Sequence, residues 1–324
     1  MKILLIRFSS IGDIVLTTPV ARCLRRQLDA EVHVLTKRAF APVLEPNPHV
    51  ARVFSLEKKL ALLLPDLRSE RYDWVLDLHH NLRSTRVKWA LGCPSRSFDK
   101  LNLEKWLLVH TGFNCLPERH IVHRYMATAA HLGVQYDGQG LDYFIPPDQE
   151  VDLPGLAPGL QAGAYVAFAI GAAHATKRLP ATKIAEICQR LNTPVVLLGG
   201  RAEMAAGKQI AATAGSHVLD FCGRLTLHQS ASVVRQAGKV ATHDTGLMHI
   251  AAAFGKPIVS LWGNTMPGFG MYPFYPDGQA CETRFEVPGL SCRPCSKIGH
   301  DHCPKGHFRC MNDLDTGAIA QALK

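Results

Sequence analysis

Several features that mark whole classes of protein are missing from this chain. No apolar run approaches the roughly 18 residues that a transmembrane helix needs. The opening apolar run, Lys2–Ile6, is too short for a signal-peptide core and is followed by Arg7. No internal repeat or low-complexity tract is visible, and the first strand is not followed by G-x-G-x-x-G, which removes the main support for a dinucleotide dehydrogenase. We therefore expect a globular cytoplasmic protein.

Charge is sparse but unbalanced. Charged residues make up 19% of the 324 residues and apolar residues 47%, while the formal net charge is +9. A basic surface favours anionic partners such as phosphorylated substrates, an acidic membrane surface or nucleic acid, although it also simply aids solubility. Ten cysteines in a cytoplasmic chain argue against a disulfide scaffold.

Short apolar strands alternate with helical segments, which predicts parallel sheets covered by helices on both faces. The helix after the first strand is predicted to have Thr18 as its N-cap and Pro19 as its first residue. Nine strands are predicted, at Lys2–Phe8, Glu31–Thr36, Val50–Ser55, Tyr72–Leu78, Tyr165–Ile170, Pro194–Leu198, Val218–Phe221, Val240–His243 and Pro257–Trp262.

The segment Ile145–Gly163 is rich in proline and glycine and aperiodic, so we interpret it as an interdomain linker. The predicted domains are residues 1–152 and residues 153–324, the second including a Cys-rich segment at 281–310 and a C-terminal helix. The predicted fold class is α/β, with two Rossmann-like domains facing across a cleft. In such sheets, ligands bind at the carboxyl ends of the strands.

Residues 243–263, with the sequence HDTGLMHIAAAFGKPIVSLWG, form the strongest candidate for an anion site. Asp244, Thr245 and Gly246 follow a strand and precede a helix. The first N–H groups of a helix lack intrahelical partners and the helix dipole favours negative charge there, so phosphates bind such turns. His249, one turn further, could donate to a phosphate oxygen, although a lone helix histidine is more often a packed core residue.

Other strand ends carry further candidates. Asp13 follows the glycine turn after the first strand, where it could accept a proton from a hydroxyl group or merely cap a helix. Arg83 and Arg86 are three residues apart on a predicted helix and could clamp a phosphate or carboxylate, or be two solvated side chains. In the second half, Lys177 could reach a diphosphate and Glu203 could bind ribose hydroxyls.

These pieces, in this order, resemble glycosyltransferase family 9, the lipopolysaccharide heptosyltransferases. The resemblance rests on five segments: MKILLIRFSSIGDIVLTTP at residues 1–19, DLHHNLR at 77–83, the loop around Lys177, residues 197–203 and residues 243–263. It implies two Rossmann-like domains of the glycosyltransferase B architecture. It also implies inverting transfer of a sugar, without an essential metal, from a nucleotide-activated donor to a lipid-linked saccharide acceptor, and the expected donor is ADP-heptose.

The resemblance also implies roles for individual residues. Asp13 would deprotonate the acceptor hydroxyl, and Lys177 would bind the donor diphosphate. Glu203 would bind the ribose. The diphosphate and nearby sugar would be lined by Asp244, Thr245, Gly246 and His249. Residues 1–152 would bind the acceptor, with Arg83 and Arg86 on its basic surface, and residues 153–324 would bind the donor. The protein would act peripherally at the inner face of the inner membrane.

The C-terminal cysteines leave two interpretations open. The spacing of these residues is typical of a structural zinc site, but the same residues could instead be packed thiols that hold a loop together. They are Cys292, Cys295, Cys303, His307 and Cys310. No catalytic metal and no required cofactor are expected. Two other functions remain alternatives: a nucleotide-sugar isomerase of the same architecture, which would act without an acceptor, and a zinc-stapled basic protein that binds nucleic acid.

Overall fold

The computed structural model describes every residue from Met1 to Lys324. The chain forms two compact units, one comprising Met1–Leu101 and Arg119–Phe144 and the other comprising Asn102–Glu118 and Ile145–Lys324. Residues 102–118 therefore pack with the second unit although they lie within the sequence of the first. No helix is both long and apolar enough to cross a lipid bilayer. The assignment of acceptor binding to residues 1–152 and donor binding to residues 153–324 stays a prediction.

The first unit contains a five-stranded parallel sheet in the order β3-β2-β1-β4-β5. Its strands are β1 (Lys2–Ile6), β2 (Glu31–Lys37), β3 (Arg52–Leu56), β4 (Trp74–Asp77) and β5 (Ser95–Ser97). Its central strands are near-continuous apolar runs because helices cover both faces of the sheet. The strand order reverses between β1 and β4, and the crevice beyond the carboxyl ends of these strands is where such sheets bind ligands.

The second unit repeats this plan with one additional strand. Its six parallel strands have the order β8-β7-β6-β9-β10-β11, so the reversal lies between β6 and β9. The strands are β6 (Val166–Ala169), β7 (Val195–Leu198), β8 (Val218–Asp220), β9 (Lys239–His243), β10 (Ile258–Trp262) and β11 (Glu282–Glu286). Parallel sheets of this order are the Rossmann-like arrangement that the sequence predicts.

Thirteen α-helices connect or flank these strands. In the first 144 residues they are α1 (Ile11–Val15), α2 (Thr18–Leu28), α3 (Leu60–Ser69), α4 (Leu82–Leu91), α5 (Asn102–Thr111) and α6 (Ile121–Met126). The remainder are α7 (Leu153–Leu156), α8 (Ala181–Gln189), α9 (Met204–Ala214), α10 (Leu227–Gln236), α11 (Gly246–Ala253), α12 (Arg309–Asn312) and α13 (Thr316–Leu323). The C-terminal helix α13 packs on α8 in the core of the second unit.

All nine predicted strands are present with shifted ends, but two strands were not predicted. Both β5 and β11 are edge strands with mostly exposed or half-exposed polar residues, so they lack the apolar pattern of a buried strand. The predicted start of α2 is also wrong by one residue. Thr17, not Thr18, is the N-cap, and Pro19 is the second residue of the helix. Proline fits there because the N–H groups of the first turn have no intrahelical partner.

The segment Ile145–Gly163, which we interpret as an interdomain linker, starts at the boundary between the two units and is packed on the second. The segment belongs to the second unit and contains α7. Its backbone is bonded to α10: the Val151 N–H donates to Ser232 Oγ at 3.0 Å, and the Gly163 N–H donates to the Gln236 carbonyl at 2.8 Å. The proline- and glycine-rich segment is therefore a surface loop that these hydrogen bonds fix to the second unit.

Candidate functional site

Asp13 lies at the carboxyl edge of the first sheet, in the first turn of α1. Its Oδ1 accepts from the Arg7 guanidinium at 2.6 Å, while Oδ2 accepts from the Ser10 N–H at 3.0 Å and the Ser10 hydroxyl at 2.9 Å. The bond from the Ser10 N–H completes a capping box, so the helix-capping interpretation describes a real contact. The Asp13 side chain nevertheless keeps 17% of its surface exposed. It is therefore held in place and open to a ligand at once.

Arg7 sets the charge state of Asp13. Burial by itself raises the pKa of Asp13, but the charge of Arg7 and the hydrogen bonds from Ser10 outweigh it, and the pKa lies below its ordinary value. Arg7 also donates to the carbonyls of Ser9 and Leu78, so it links the ends of β1 and β4 across the reversal of strand order. Asp13 is thus a fixed carboxylate, ionised at neutral pH.

The loop after β4 is organised by a fully buried carboxylate, Asp77. It accepts from the N–H groups of His79 and His80, at 3.1 and 2.6 Å, and from the Ser84 hydroxyl at 2.7 Å. Its charge is balanced by Lys88 at 3.2 Å. The sequence indicated this loop through DLHHNLR, but the organising role of Asp77 becomes visible only in the structure.

His79 is a site residue that the sequence analysis did not single out. Its ring packs edge-on against Phe8, with centroids 5.1 Å apart. Burial and the neighbouring charge of Arg7 lower the pKa of His79 to about 4, so the imidazole is neutral at physiological pH. A neutral histidine near Arg7 and Asp13 is a candidate hydrogen-bonding group for a ligand hydroxyl.

A basic cavity of about 540 Å³ opens beside this edge. It is lined by the charged side chains of Lys37, Arg38, Glu57, Lys58 and Arg83, together with Ala39 and Leu56. Glu57 is paired with Arg38, which leaves a surplus of positive charge. The Arg83 guanidinium also lies over the Phe8 ring, 5.4 Å from its centroid. Arg86 is exposed on the same helix but does not line this cavity.

The second unit also carries an ion pair at its own reversal of strand order. Lys177 lies in the loop after β6 and Asp244 directly follows β9. The Lys177 ammonium donates to Asp244 Oδ2 at 2.5 Å, and the Thr265 hydroxyl donates to the same oxygen at 3.1 Å. The two charged side chains are 15% and 12% exposed, so both are accessible. The structure brings these two predicted residues into direct contact.

Helix α11 begins beside this ion pair. Thr245 is its extended N-cap and Gly246 its first residue, and both are partly exposed. The free N–H groups of this first turn are placed to receive an anion. His249 is different, because only 1% of its surface is exposed. Its predicted contact with the diphosphate or sugar stays a prediction, and the structure places its ring in the packed interior.

Glu203 lies at the end of the neighbouring strand β7. Its Oε2 accepts from the Gly200 N–H at 2.9 Å, and its Oε1 is 3.5 Å from the Arg178 guanidinium. A Cβ atom at Gly199 would lie 2.7 Å from the Glu203 Cβ, so only glycine permits this approach. Glu203 is fixed at the edge where the sequence predicts ribose binding, and that role stays a prediction.

Buried His243 has a structural role. It is fully buried, and its Nε2 accepts from the Leu179 N–H at 2.9 Å, which joins β9 to the approach to α8. Burial lowers the pKa of His243 to about 4, so the ring is neutral.

The Cys-rich segment braces both loops of the second reversal point. Arg293 donates to the carbonyls of Gly263 and Thr265, at 2.6 and 2.9 Å. The backbone of His300 bonds to Thr176, next to Lys177: the Thr176 N–H donates to the His300 carbonyl at 3.1 Å, and the His300 N–H donates to the Thr176 hydroxyl at 2.8 Å. Residues 292–310 therefore position the side chains around the Lys177–Asp244 pair.

The thiols of this segment are close to one another but do not form a ready metal site. All are free, and Cys292 Sγ lies 3.7 Å from His307 Nε2. No three of the cysteine and histidine donors come within 4.8 Å of one another. Burial and neighbouring cysteines raise the pKa of the Cys310 thiol to about 11. A structural zinc site and packed thiols both stay predictions for these residues.

One other group of potential metal ligands, Glu31, His33 and Glu70, lies at the amino ends of the strands. The Lys2 ammonium already occupies the cation position there, 2.6 Å from Glu70 and 3.3 Å from Glu31. Tyr72 and Glu31 engage the two ring nitrogens of His33. This cluster is a satisfied polar network at the edge opposite the candidate site.

Solved structures match this architecture over almost the whole chain. A glycosyltransferase family 9 protein from Veillonella parvula DSM 2008 is similar with a TM-score of 0.79 and 21% identity, covering 99% of this chain and 95% of that chain. The E. coli ADP-heptose lipopolysaccharide heptosyltransferase II is similar with a TM-score of 0.69 and 21% identity, covering 99% of both chains. The fold is thus that of the two-domain glycosyltransferase B class.

Sequence comparison identifies the family within this class. The model of glycosyltransferase family 9 (heptosyltransferase) matches residues 61–293. Lipopolysaccharide heptosyltransferase 1 of Pseudomonas aeruginosa PAO1 is 29% identical over 97% of this chain and 91% of its own length. The chain belongs to glycosyltransferase family 9, and it is a glycosyltransferase.

Proposed function

We propose that this enzyme transfers a heptose from an ADP-activated donor to a lipid-linked acceptor of the lipopolysaccharide core, with inversion at the anomeric carbon. The observation that carries the proposal is the pair of charged sites, one at each reversal of strand order. One holds an ionised carboxylate, Asp13, and the other holds an accessible ammonium, Lys177, beside a helix N-terminus. The names of the Pseudomonas relative and the E. coli structure support the choice of sugar and acceptor.

Asp13 supplies the base in this mechanism. The acceptor hydroxyl oxygen attacks the anomeric carbon of the donor, while the bond from that carbon to the diphosphate oxygen breaks. The hydroxyl proton passes to Asp13, for which the carboxylate must be ionised before the reaction. A single displacement of this kind inverts the anomeric configuration. Arg7 and Ser10 keep the carboxylate ionised and correctly directed.

The second unit stabilises the leaving group. The diphosphate gains negative charge as the glycosidic bond breaks, and Lys177 and the first turn of α11 provide positive charge where it develops. Thr245 and Gly246 form that turn, while Asp244 holds Lys177 until the donor arrives. Glu203 binds the ribose hydroxyls. We propose that these groups serve without a required cofactor, so transfer is expected to persist in EDTA.

The acceptor binds at the basic carboxyl edge of the first unit. Arg83 lines the cavity there and Arg86 extends the basic surface. Phosphates and acidic sugars of a lipid-linked core saccharide fit this charge. Because such an acceptor is embedded in a bilayer, we propose that the enzyme works peripherally at the cytoplasmic face of the inner membrane.

Calorimetric titration with ADP, UDP and GDP tests the donor. We expect ADP to bind at least tenfold more tightly than the other two nucleotides. A preference for UDP or GDP would contradict an ADP-linked donor and leave the transferase reaction intact. Product stereochemistry, determined by NMR after transfer to a lipid-free core saccharide, tests inversion. Turnover of the donor without any acceptor would instead support a nucleotide-sugar isomerase.

A further inference from the structure

Helices α3 and α4 of the first unit carry large apolar side chains on their outer surface. Leu82 and Trp89 of α4 are 84% and 81% exposed, and Leu62 of α3 is 77% exposed. Leaving such side chains in water forgoes the stabilisation that burial would bring. Isolated exposed leucines are ordinary, but exposed residues that share one helix face form a surface that requires an explanation.

The geometry of α4 places these residues together. Leu82, Arg86 and Trp89 are separated by four and three residues, so they lie along one face of the helix. Ser84 and Val87, on the opposite face, are fully buried in the unit. The inner face of α4 therefore already packs against its own unit, and its outer face combines a leucine, an arginine and a tryptophan.

Basic residues surround this outer face. Helix α4 carries the exposed residues Arg83 and Arg86 and no acidic residue, while its Lys88 is paired with the buried Asp77. Helix α3 lies beside it, with Arg68 Nε donating to the Ala90 carbonyl at 2.9 Å, and the pair Lys58-Lys59 precedes α3. The one exposed carboxylate of α3 is Asp66, one turn beyond Leu62. Positive charge thus dominates the end of both helices nearest the basic cavity.

We propose that this face, which we call the α4 face (Leu82, Arg83, Arg86 and Trp89), docks on an anionic lipid bilayer. Tryptophan and leucine enter the headgroup region, and arginine keeps its charge in the interface while its stem contacts apolar chains. Negative lipids complement the basic residues. A second copy of the same face would instead bring like charges together.

The position of the α4 face fits the proposed function, on which this part of the argument rests. Helix α4 follows β4 after the short loop at residues 78–81. It begins at the same carboxyl edge as Asp13, because β4 pairs with β1 in a parallel sheet. A lipid-linked saccharide held at that edge has its lipid in the bilayer. A membrane-bound α4 face keeps the acceptor hydroxyl within reach while the acyl chains remain embedded.

Vesicle flotation tests the docking surface directly. We expect the protein to bind vesicles of phosphatidylcholine with about one-third phosphatidylglycerol, to bind pure phosphatidylcholine weakly, and to lose binding as salt increases. The double variant Leu82→Ser/Trp89→Ser should lower the partition coefficient at least tenfold. Both side chains are exposed, so the variant should fold normally, which its thermal unfolding midpoint verifies. The matched control Met204→Ser/Ile298→Ser, which removes two exposed apolar residues of the second unit, should change it less than twofold.

Activity separates this inference from the proposed function. With a lipid-free core saccharide, Leu82→Ser/Trp89→Ser should retain the wild-type rate, whereas with a vesicle-embedded acceptor it should lose at least tenfold in kcat/KM. Unchanged vesicle binding in the double variant would overturn the docking surface while leaving the transferase intact. Self-association that disappears in this variant would assign the face to a second copy and would also overturn the proposal. Vesicle binding without transfer of any sugar would contradict the proposed function alone.

Discussion

The two units place the same kind of ion pair at the same topological position, but they expose different partners. In the first unit Arg7 is 10% exposed and bonded to two backbone carbonyls, while Asp13 is more open. In the second unit Lys177 and Asp244 are almost equally exposed, and it is the carboxylate that has an additional partner, Thr265. The more exposed partner is therefore the carboxylate in the first unit and, by a small margin, the ammonium in the second.

This difference follows from the chemistry of the side chains. The planar guanidinium of Arg7 can bond two carbonyls and a carboxylate at once and stays charged, which suits a permanent scaffold. The ammonium of Lys177 is a compact charge on a flexible stem, which can leave Asp244 and move to an incoming phosphate. One sheet design thus presents a carboxylate in the first unit and an ammonium in the second, and we propose that the first accepts a proton and the second receives an anion.

Removal of the open carboxylate has the largest expected effect. Asp13→Ala should lower kcat by about 10²-fold or more, as expected when a general base is lost, while ADP affinity changes less than about twofold. Asp13→Asn should lose a similar amount although its side-chain oxygen can still accept from the Ser10 N–H. The comparison between Asn and Ala separates proton transfer from helix capping. Near-wild-type turnover in Asp13→Asn would rule out Asp13 as the base.

The location of Asp13 could be predicted from the sequence, but its partner could not. Apolar runs mark buried strands, and a glycine turn after β1 places the next carboxylate at the carboxyl edge. The sequence marks Arg7 only as the residue that ends an apolar run. Its contact with Asp13 depends on the path of the chain around Ser10, and packing decides that path. Similarly, His243 immediately precedes Asp244 and His249 lies five residues after it, and only the structure shows that both histidines are buried.

The packing of residues 102–118 with the second unit was also beyond sequence analysis. The unit with which a segment packs depends on long-range contacts, and these leave no local pattern in the sequence.

Removal of the open cation should have the next largest effect. Lys177→Ala should weaken ADP binding by about 10–100-fold, because a charge-assisted bond is lost and Asp244 is left as an unpaired negative charge. Lys177→Ala/Asp244→Ala should recover part of this affinity, since the repulsion is then removed. Calorimetry of the four proteins of this double-mutant cycle measures the coupling. Equal affinities of the single and double variants would show that Asp244 does not act on the donor through charge.

Removal of the fixed cation should shift the pH dependence. In the native protein the pKa of Asp13 lies below its ordinary value, so the ion pair contributes stability above that ordinary value and loses it as pH falls through the lowered one. Arg7→Gln removes the charge and leaves the burial that raises the pKa. The acid limb of the kcat/KM profile should move to higher pH, and acid unfolding should begin at a higher pH than in the native protein. A matched loss of surface charge, Arg25→Gln, should move neither.

The Cys-rich segment offers the last way to break the comparison, because only the second unit has such a brace. If its thiols are packed and neutral, reduced and tag-free protein should contain less than about a tenth of an equivalent of zinc, and EDTA should leave both the unfolding midpoint and the affinity for ADP unchanged. Stoichiometric zinc with a lower midpoint after chelation would instead show that a metal holds the brace.

Arg293→Gln tests the brace whether or not a metal is bound. The variant loses the bonds to the Gly263 and Thr265 carbonyls, so the loop that supports Asp244 loses its anchor. We expect calorimetry to show ADP binding weakened by only a few fold, because Lys177 and α11 remain in place.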